Sequence, residues 1–155
     1  MDKPVRKPTR IPNYDYSKDN YYFVTICTHE KKCLFGTVQN LSRYGKIAAA
    51  SIDTIPMHYS SVKINKYVVM PNHIHMIVVI GCNIETSANP TLSRIIGAYK
   101  SEVARLIHKS VPNEPIWQRS FHDHIIRNQR DYERIWNYIH TNPMRWDKDC
   151  FYVDI

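Results

Sequence analysis

Apolar and polar residues follow one another along the chain in blocks that predict strands and helices in turn. The segment YYFVTICT, residues 21–28, is rich in aromatic and β-branched side chains, which is typical of a buried strand. An alanine-rich run predicts a helix from Tyr44 to Ile55. SVKINKYVVM then alternates before it turns solidly apolar, and it continues through Pro71 and Asn72 into HIHMIVVIG. These two segments predict a hairpin of two strands.

Three further elements follow the hairpin. TLSRIIGAYKSEVARLIHKS carries apolar residues at helical spacing, with Thr91 placed to cap its N-terminus. A strand is predicted from Ile116 to Arg127, and DYERIWNYIHTNP has the period of a helix that Pro143 should end. The order strand, helix, strand, strand, helix, strand, helix predicts an α+β fold. It is that of a ferredoxin-like split βαβ sandwich, with an antiparallel sheet and one added C-terminal helix.

Length and charge narrow the class of protein. The 155 residues suffice for a single domain of ordinary size. Residues 1–20 mix basic residues with prolines, and we assign them to an extended basic arm that precedes one folded domain, residues 21–155. The 21 Lys and Arg against 14 Asp and Glu give a formal charge of +7, which favours a nucleic-acid partner.

The cysteines and the hydropathy bear on the cellular compartment. The four cysteines form no Cys-x-x-Cys pair and no dense framework, so neither a zinc ribbon nor a disulfide scaffold is indicated. The N-terminus has no apolar leader, and no segment approaches the roughly 20 apolar residues of a spanning helix. We therefore expect a cytoplasmic protein that does not contact the membrane.

Two histidines begin the second strand of the hairpin. Because side chains alternate along a strand, His73 and His75 share one face at a Cα separation of roughly 6.6 Å, so both could bind one metal ion. Hydrogen-bonded core histidines are the alternative, and His122 and His124 repeat the same spacing. We interpret that second pair as structural, or as supporting the ligands of a site without binding the metal, because only the first follows a turn, Pro71–Asn72, which we expect to be exposed.

Two histidines leave a catalytic metal short of protein ligands, and the last helix offers more. Tyr138 and Asn142 are i, i+4 neighbours on one face of that helix. The alternative assigns Tyr138 to an apolar stripe with Ile135 and Ile139, and Asn142 to the helix end. From the residues alone, this packing interpretation is favoured.

The motifs MPNHIHMIV and YIHTNP resemble those of the HUH-superfamily single-tyrosine transposases, and specifically the REP-associated tyrosine transposases. RIPNYDYS, YFVTICT, IIGAYKS and IWQRSFHDHIIRN match as well, so the resemblance covers residues 10–143. It implies that His73 and His75 bind the metal, that Asn142 completes the site and that Tyr138 is the nucleophile. The implied cofactor is a divalent ion, Mg²⁺ or Mn²⁺, and the implied intermediate is a 5′-phosphotyrosine.

The resemblance also implies a partner and a location. The substrate would be single-stranded DNA beside a REP-type hairpin in a bacterial nucleoid, bound by a monomer or a homodimer. Candidate DNA contacts are basic and aromatic side chains of the arm and one lysine of the long helix: Arg6, Lys7, Arg10, Tyr14, Tyr16 and Lys100. Two other classes remain open: a hairpin-binding protein without catalysis, and a metal-dependent nuclease without a covalent intermediate.

Overall fold

The computed structural model describes residues 10–81 and 88–153. The described chain forms four strands and three α-helices in the predicted order. The strands are β1 (Asn20–Cys27), β2 (Val62–Val69), β3 (His73–Ile80) and β4 (His122–Ile126). The helices are α1 (Arg43–His58), α2 (Leu92–His108) and α3 (Gln129–Thr141). The predicted α+β architecture is confirmed.

The four strands form one antiparallel sheet in the order β2-β3-β1-β4. Strand β3 is central, and all eight of its residues are buried. The hairpin of β2 and β3 is present as predicted. In the register between β1 and β3, Cys27 lies opposite His73 and Thr25 lies opposite His75. The histidines therefore begin a strand that is paired on both edges and covered on both faces.

Each face of the sheet packs against different helices. The larger core joins one face to α1 and α2, and it includes Ile74 and Met76 of β3. The smaller core joins the opposite face to α3 through Ile77, Val79 and Ile135. Because side chains alternate along β3, His73 and His75 lie on the α3 face. The fold therefore brings both histidines to the helix that carries the candidate tyrosine.

The helix caps agree with the sequence, whereas the last strand is shorter than predicted. Thr91 caps α2, as predicted, by accepting a hydrogen bond from the Arg94 amide at 3.2 Å. Strand β4 begins only at His122. Ser120 has a φ of +69°, which breaks the extended conformation, and its carbonyl accepts a hydrogen bond from Lys100 Nζ at 2.9 Å. Before this break the chain still pairs with the end of β1, since the Gln118 amide donates to the Cys27 carbonyl at 2.9 Å and Trp117 forms an isolated bridge with Thr28.

The chain continues beyond α3 in a further helical turn. The α-helix ends at Thr141, close to where Pro143 was predicted to end it, but a 3₁₀ helix follows over Asn142–Lys148. A proline near the start of a helix is well tolerated, because the first turn needs no amide donor there. This turn carries the chain back over the sheet toward the histidines.

The root of the predicted arm packs on the domain. Tyr16 is part of the larger core and only 9% exposed, and its hydroxyl accepts a hydrogen bond from the Ile11 amide at 2.9 Å. Tyr14 packs against the same core. The folded part thus includes residues that the sequence assigned to the arm, because their rings bury apolar area beside Tyr22. Residues 1–9, with the predicted contacts Arg6 and Lys7, lie outside the described residues.

Candidate metal centre

The two imidazoles are held by their Nδ1 atoms. His73 Nδ1 donates to Asn72 Oδ1 at 2.8 Å, and His75 Nδ1 pairs with Thr25 Oγ1 at 2.8 Å. The Nε2 atoms of both rings are buried and have no hydrogen-bond partner. A proton held on Nδ1 leaves the lone pair on Nε2, which is the arrangement that metal-binding histidines commonly use.

Two oxygen atoms from the end of the chain join the imidazole nitrogens. The described residues contain six buried side-chain atoms without a hydrogen-bond partner. Four of them are His73 Nε2, His75 Nε2, Asn142 Oδ1 and Asp149 Oδ2. The ligand atoms of His73, His75 and Asp149 all lie within 4.8 Å of one another. Buried polar atoms are rarely left without partners, so this cluster fits a divalent cation.

The protonation of the site agrees with metal binding. Burial lowers the pKa of His73 to about 4, although the Asp149 charge and the Asn142 amide act in the opposite direction. Burial, with a contribution from His73, places the pKa of His75 well below its ordinary value. Both imidazoles are therefore neutral at pH 7, which is the form that binds a metal.

Tyr138 lies beside the two histidines. Its ring centroid is 5.2 Å from that of His75 and 6.1 Å from that of Phe23, and its side chain is 38% exposed. Burial raises the pKa of the Tyr138 phenol, and the Asp149 charge raises it further, while the Asn142 amide lowers it. The Asn142 side chain lies close to both His73 and Tyr138, and it lines one cavity together with Tyr138 and Asp149.

The segment after α3 covers the histidines. Phe151 lies against His73 with ring centroids 4.5 Å apart, and Trp146 stacks on the same imidazole at 6.0 Å. The Asn72 amide donates to the Phe151 carbonyl at 2.8 Å. The prediction that the turn at Pro71–Asn72 is exposed is therefore wrong, since Asn72 is only 1% exposed. The C-terminal segment thus closes this side of the site.

Asp149 was missed by the sequence analysis. It follows the recognisable motifs, in a segment without helical or strand periodicity, and its approach to His73 Nε2, 3.7 Å, depends on the 3₁₀ turn. A lone aspartate in such a segment gives no signal by itself.

The other predicted DNA contacts lie away from this cluster. The ammonium of Lys100 donates to the carbonyls of Gln118 and Ser120, both at 2.9 Å, and burial lowers its pKa. Arg10 lies over the Phe121 ring at 4.0 Å, with its Nε 3.8 Å from Asp123 Oδ1. The side chains of Lys100 and Arg10 thus make contacts within the protein.

The second histidine pair belongs to the edge of the sheet. His124 is exposed and pairs with Asp131 of α3 through an Nε2 to Oδ2 distance of 2.7 Å, while His122 is exposed on β4. Neither ring joins the metal cluster formed by the described residues. Burial on a central strand, rather than the spacing of the two histidines, distinguishes the first pair from the second.

A buried His-x-His pair on a central strand, facing a tyrosine helix, defines the HUH type of metal-binding fold. The chain matches the model of the IS200-like transposase family over residues 15–142, and it belongs to that family. An uncharacterized protein of Haemophilus influenzae is 32% identical over 169 aligned residues, which cover 96% of this chain and 94% of the relative. The assignment agrees with the resemblance found in the motifs.

Two solved structures share the fold. One is a REP-associated tyrosine transposase bound to a REP hairpin, with a TM-score of 0.59 and 23% identity over 88% of this chain and 73% of that one. The other is a proposed transposase from Deinococcus radiodurans, with a TM-score of 0.53 and 15% identity over 85% of this chain and 95% of that one. No helix within residues 10–81 and 88–153 is long and apolar enough to cross a membrane.

Proposed function

We propose that this chain is a metal-dependent endonuclease and strand transferase that acts on single-stranded DNA beside a hairpin. The observation that carries the proposal is the convergence of four partnerless buried atoms, from His73, His75, Asn142 and Asp149, next to the phenol of Tyr138. A nucleophile beside a set of metal ligands is an arrangement that supports phosphoryl transfer through a covalent intermediate.

The donor set suits a divalent cation. His73 and His75 would contribute nitrogen, and Asn142 and Asp149 would contribute oxygen. When bound, the ion supplies Lewis-acid polarisation of a phosphate oxygen and fixes the position of the phosphate. Magnesium prefers a shell of oxygen atoms, whereas imidazole favours transition metals, so two nitrogen ligands favour Mn²⁺ over Mg²⁺ in affinity.

Tyr138 is the proposed nucleophile. Its phenolic oxygen forms a bond to phosphorus while the bond from phosphorus to the 3′ oxygen breaks, which leaves a 5′-phosphotyrosine and a free 3′ hydroxyl. The phenolic proton leaves and the 3′ oxygen gains one, so the reverse reaction rejoins the strand without an added energy source. Tyr138 and the histidines come from the same chain, which supports a site completed within a monomer.

The phenol must lose its proton before it attacks. Burial and the Asp149 charge both raise the pKa of Tyr138, so an isolated phenol is protonated at neutral pH. A positive charge that offsets Asp149 would therefore lower the pKa of Tyr138 and favour the phenolate. His140 is not placed to act as the base, because it stacks on Trp136 with ring centroids 4.9 Å apart and pairs with Lys66 at 3.2 Å.

The proposal of a DNA substrate rests on the net charge of the chain and on its similarity to a solved structure. A formal charge of +7 attracts phosphates, and the fold is shared with a protein that was solved with a REP hairpin. We assign phosphate contacts to Arg6 and Lys7, since Arg10 is engaged by Phe121 and Asp123. We assign Tyr14 and Tyr16 a structural role at the root of the arm, because their rings pack on the core.

The test is a cleavage assay with a labelled single-stranded hairpin that has unpaired flanks. The protein is incubated with DNA and Mn²⁺ or Mg²⁺, and the products are resolved on a denaturing gel. We expect a covalent protein–DNA band that requires the metal and disappears in Tyr138→Phe. Tyr152→Phe is a matched control, since Tyr152 is similarly exposed, at 40% against 38%.

The other outcomes select the alternatives. Cleavage that survives Tyr138→Phe without a covalent band indicates a metal-dependent nuclease in which Tyr138 only packs. Hairpin binding without cleavage, at any metal concentration, indicates a protein that retains the fold for binding alone. Either outcome would refute the phosphotyrosine mechanism.

A further inference from the structure

A cavity separate from the metal centre lies on the α3 face of the sheet, at the opposite end of α3 from the metal ligands. It has a volume of about 450 Å³ and is lined by Tyr21, Tyr132, Asn65 and Arg127, with Ile126 and Gln129 among its other residues. The size falls in the range of sites that bind small molecules. Nothing in the proposed cleavage step uses this cavity.

The cavity combines aromatic rings with amides. Tyr21 is 42% exposed and packs edge to face on Tyr132, with ring centroids 5.7 Å apart. Asn65 donates through Nδ2 to the Tyr132 hydroxyl at 3.3 Å, which leaves its Oδ1 able to accept a hydrogen bond. Asn65 stands where the register of β2 shifts, and such a bulge turns a side chain out of the regular pleat.

The cavity is also positively charged. Arg127 is exposed at the end of β4, and it precedes the cap residue of α3, Asn128. The N-terminus of a helix adds partial positive charge at the same place. The acidic residue in this first turn, Asp131, is paired with His124 and Arg134, both at 2.7 Å, so its charge is offset.

The position of the cavity relates it to the metal centre. Tyr21 pairs with Val79, and Thr25 pairs with His75, so the cavity lies four residues along the same face of the sheet from His75. At about 3.3 Å per residue this is roughly 13 Å. A stacked nucleic-acid strand rises about 3.4 Å per nucleotide, so a strand held at the metal needs at least about four nucleotides to reach the cavity, and more because it must pass beside α3.

We infer that this cavity binds an unpaired base of the DNA strand whose phosphate lies at the metal centre. The inference rests on the proposed function, since it takes single-stranded DNA as the ligand. Tyr21 stacks on the base, Asn65 bonds its edge and Arg127 contacts an adjacent phosphate. Aromatic stacking is tolerant of base identity, whereas amide bonds to the base edge give a preference.

The test uses full-length protein carrying Tyr138→Phe, so that binding is measured without cleavage. The probes are a dodecamer of thymidylate and a dodecamer with the same phosphates and no bases, and binding is followed by fluorescence anisotropy. We expect the protein to prefer the thymidylate dodecamer. Adding Tyr21→Ala should weaken binding of that dodecamer by about 5- to 150-fold and leave binding of the abasic strand unchanged.

Matched controls come from a cavity on the opposite face of the sheet. It has a similar volume, about 460 Å³, and is lined in part by Tyr59 and Arg94. Tyr59→Ala and Arg94→Gln should leave the preference for bases intact. Tyr21→Phe keeps the ring and should also keep the preference, and thermal unfolding shows whether Tyr21→Ala remains folded.

Two results would overturn the inference: no preference for bases before mutation, or a preference that survives Tyr21→Ala in folded protein. A preference lost in Tyr59→Ala and kept in Tyr21→Ala would place the base on the other face and overturn it too. The outcome is separable from that of the cleavage assay. A protein that binds bases at Tyr21 and forms no covalent DNA adduct retains this inference and loses the proposed mechanism.

Discussion

Replacing Asp149 by asparagine keeps the shape of the side chain and removes one charge from the candidate metal centre. Asp149 Oδ2 lies 3.7 Å from His73 Nε2, and its side chain is 2% exposed. At an effective dielectric constant of about 20, a divalent ion and one carboxylate charge about 4 Å apart attract by about 8 kcal/mol, and the cost of desolvating the carboxylate offsets roughly half of that attraction. Since the amide oxygen retains part of this attraction, we expect a loss of about 3 kcal/mol, or about 100-fold in Mn²⁺ affinity.

Calorimetric titration of metal-free protein with Mn²⁺, in the absence of DNA, measures this loss directly. Asp147→Asn is the matched control, because Asp147 is exposed and lies two residues earlier in the same segment. It removes the same charge from the protein without touching the cluster. We expect wild-type affinity in this control.

Thermal unfolding provides a second measurement of the same substitution. The Asp149 Oδ2 atom has no hydrogen-bond partner, so Asp149→Asn should leave the metal-free protein at least as stable as the wild type. The rise in Tm on adding Mn²⁺ should become smaller. Equal Mn²⁺ affinities for Asp149→Asn and the wild type would show that Asp149 is not a ligand.

Three further changes have outcomes that the structure sets. Thr25→Val keeps the side-chain shape and removes the hydroxyl that pairs with His75 Nδ1, so Mn²⁺ affinity measured by calorimetry should fall about 10- to 100-fold. Burial lowers the pKa of His73 to about 4, so the unfolded state takes up the proton first as the pH falls below about 6.5. The stability that is present above pH 6.5 is therefore lost progressively toward pH 4. The free energy of unfolding, measured with urea in the presence of a chelator, should decline by about 3 kcal/mol over this range. Gly97→Ala should raise the free energy of unfolding by about 0.5–1 kcal/mol, since an added Cβ there meets nothing within 4 Å. Gly45→Ala should lower the free energy of unfolding, because its Cβ meets the Phe35 carbonyl.

Each of these expectations can fail separately. An unchanged Mn²⁺ affinity in Thr25→Val would mean that the His75 ring is held by packing alone. A flat stability between pH 7 and pH 4 would contradict the burial of a neutral His73. Equal effects of the two glycine substitutions would contradict the packing described around α1 and α2.

The regular elements could be predicted because their signals are local. From Met76 onward β3 is apolar on both faces, a local pattern that is typical of a central strand covered on both sides. The helix α2 was bounded by Thr91 and its apolar period. The strand predicted from Ile116 was too long, because Ser120, with a φ of +69°, separates an isolated bridge between Trp117 and Thr28 from β4. The Ser120 carbonyl is bonded to Lys100 of α2, and such a contact between residues distant in sequence leaves no periodic trace.

The site could be predicted only in part, for a related reason. His73, His75, Tyr138 and Asn142 lie in motifs, and the resemblance assigned them together. Asp149 lies in a segment whose path depends on a 3₁₀ turn and on the Asn72 to Phe151 hydrogen bond. Its distance from His73 is thus a product of tertiary packing, which no local pattern of residues encodes.

The separation of the ligands along the chain bears on biosynthesis. Asp149 follows His73 by 76 residues. A ribosome adding about 5–20 residues per second takes roughly 4–15 s to make that stretch. For most of this interval the nascent chain carries the imidazoles without Tyr138, Asn142 or Asp149. Translation products that stop before Tyr138 therefore contain both histidines but neither the proposed nucleophile nor the proposed oxygen ligands, and they would lack the proposed cleavage activity.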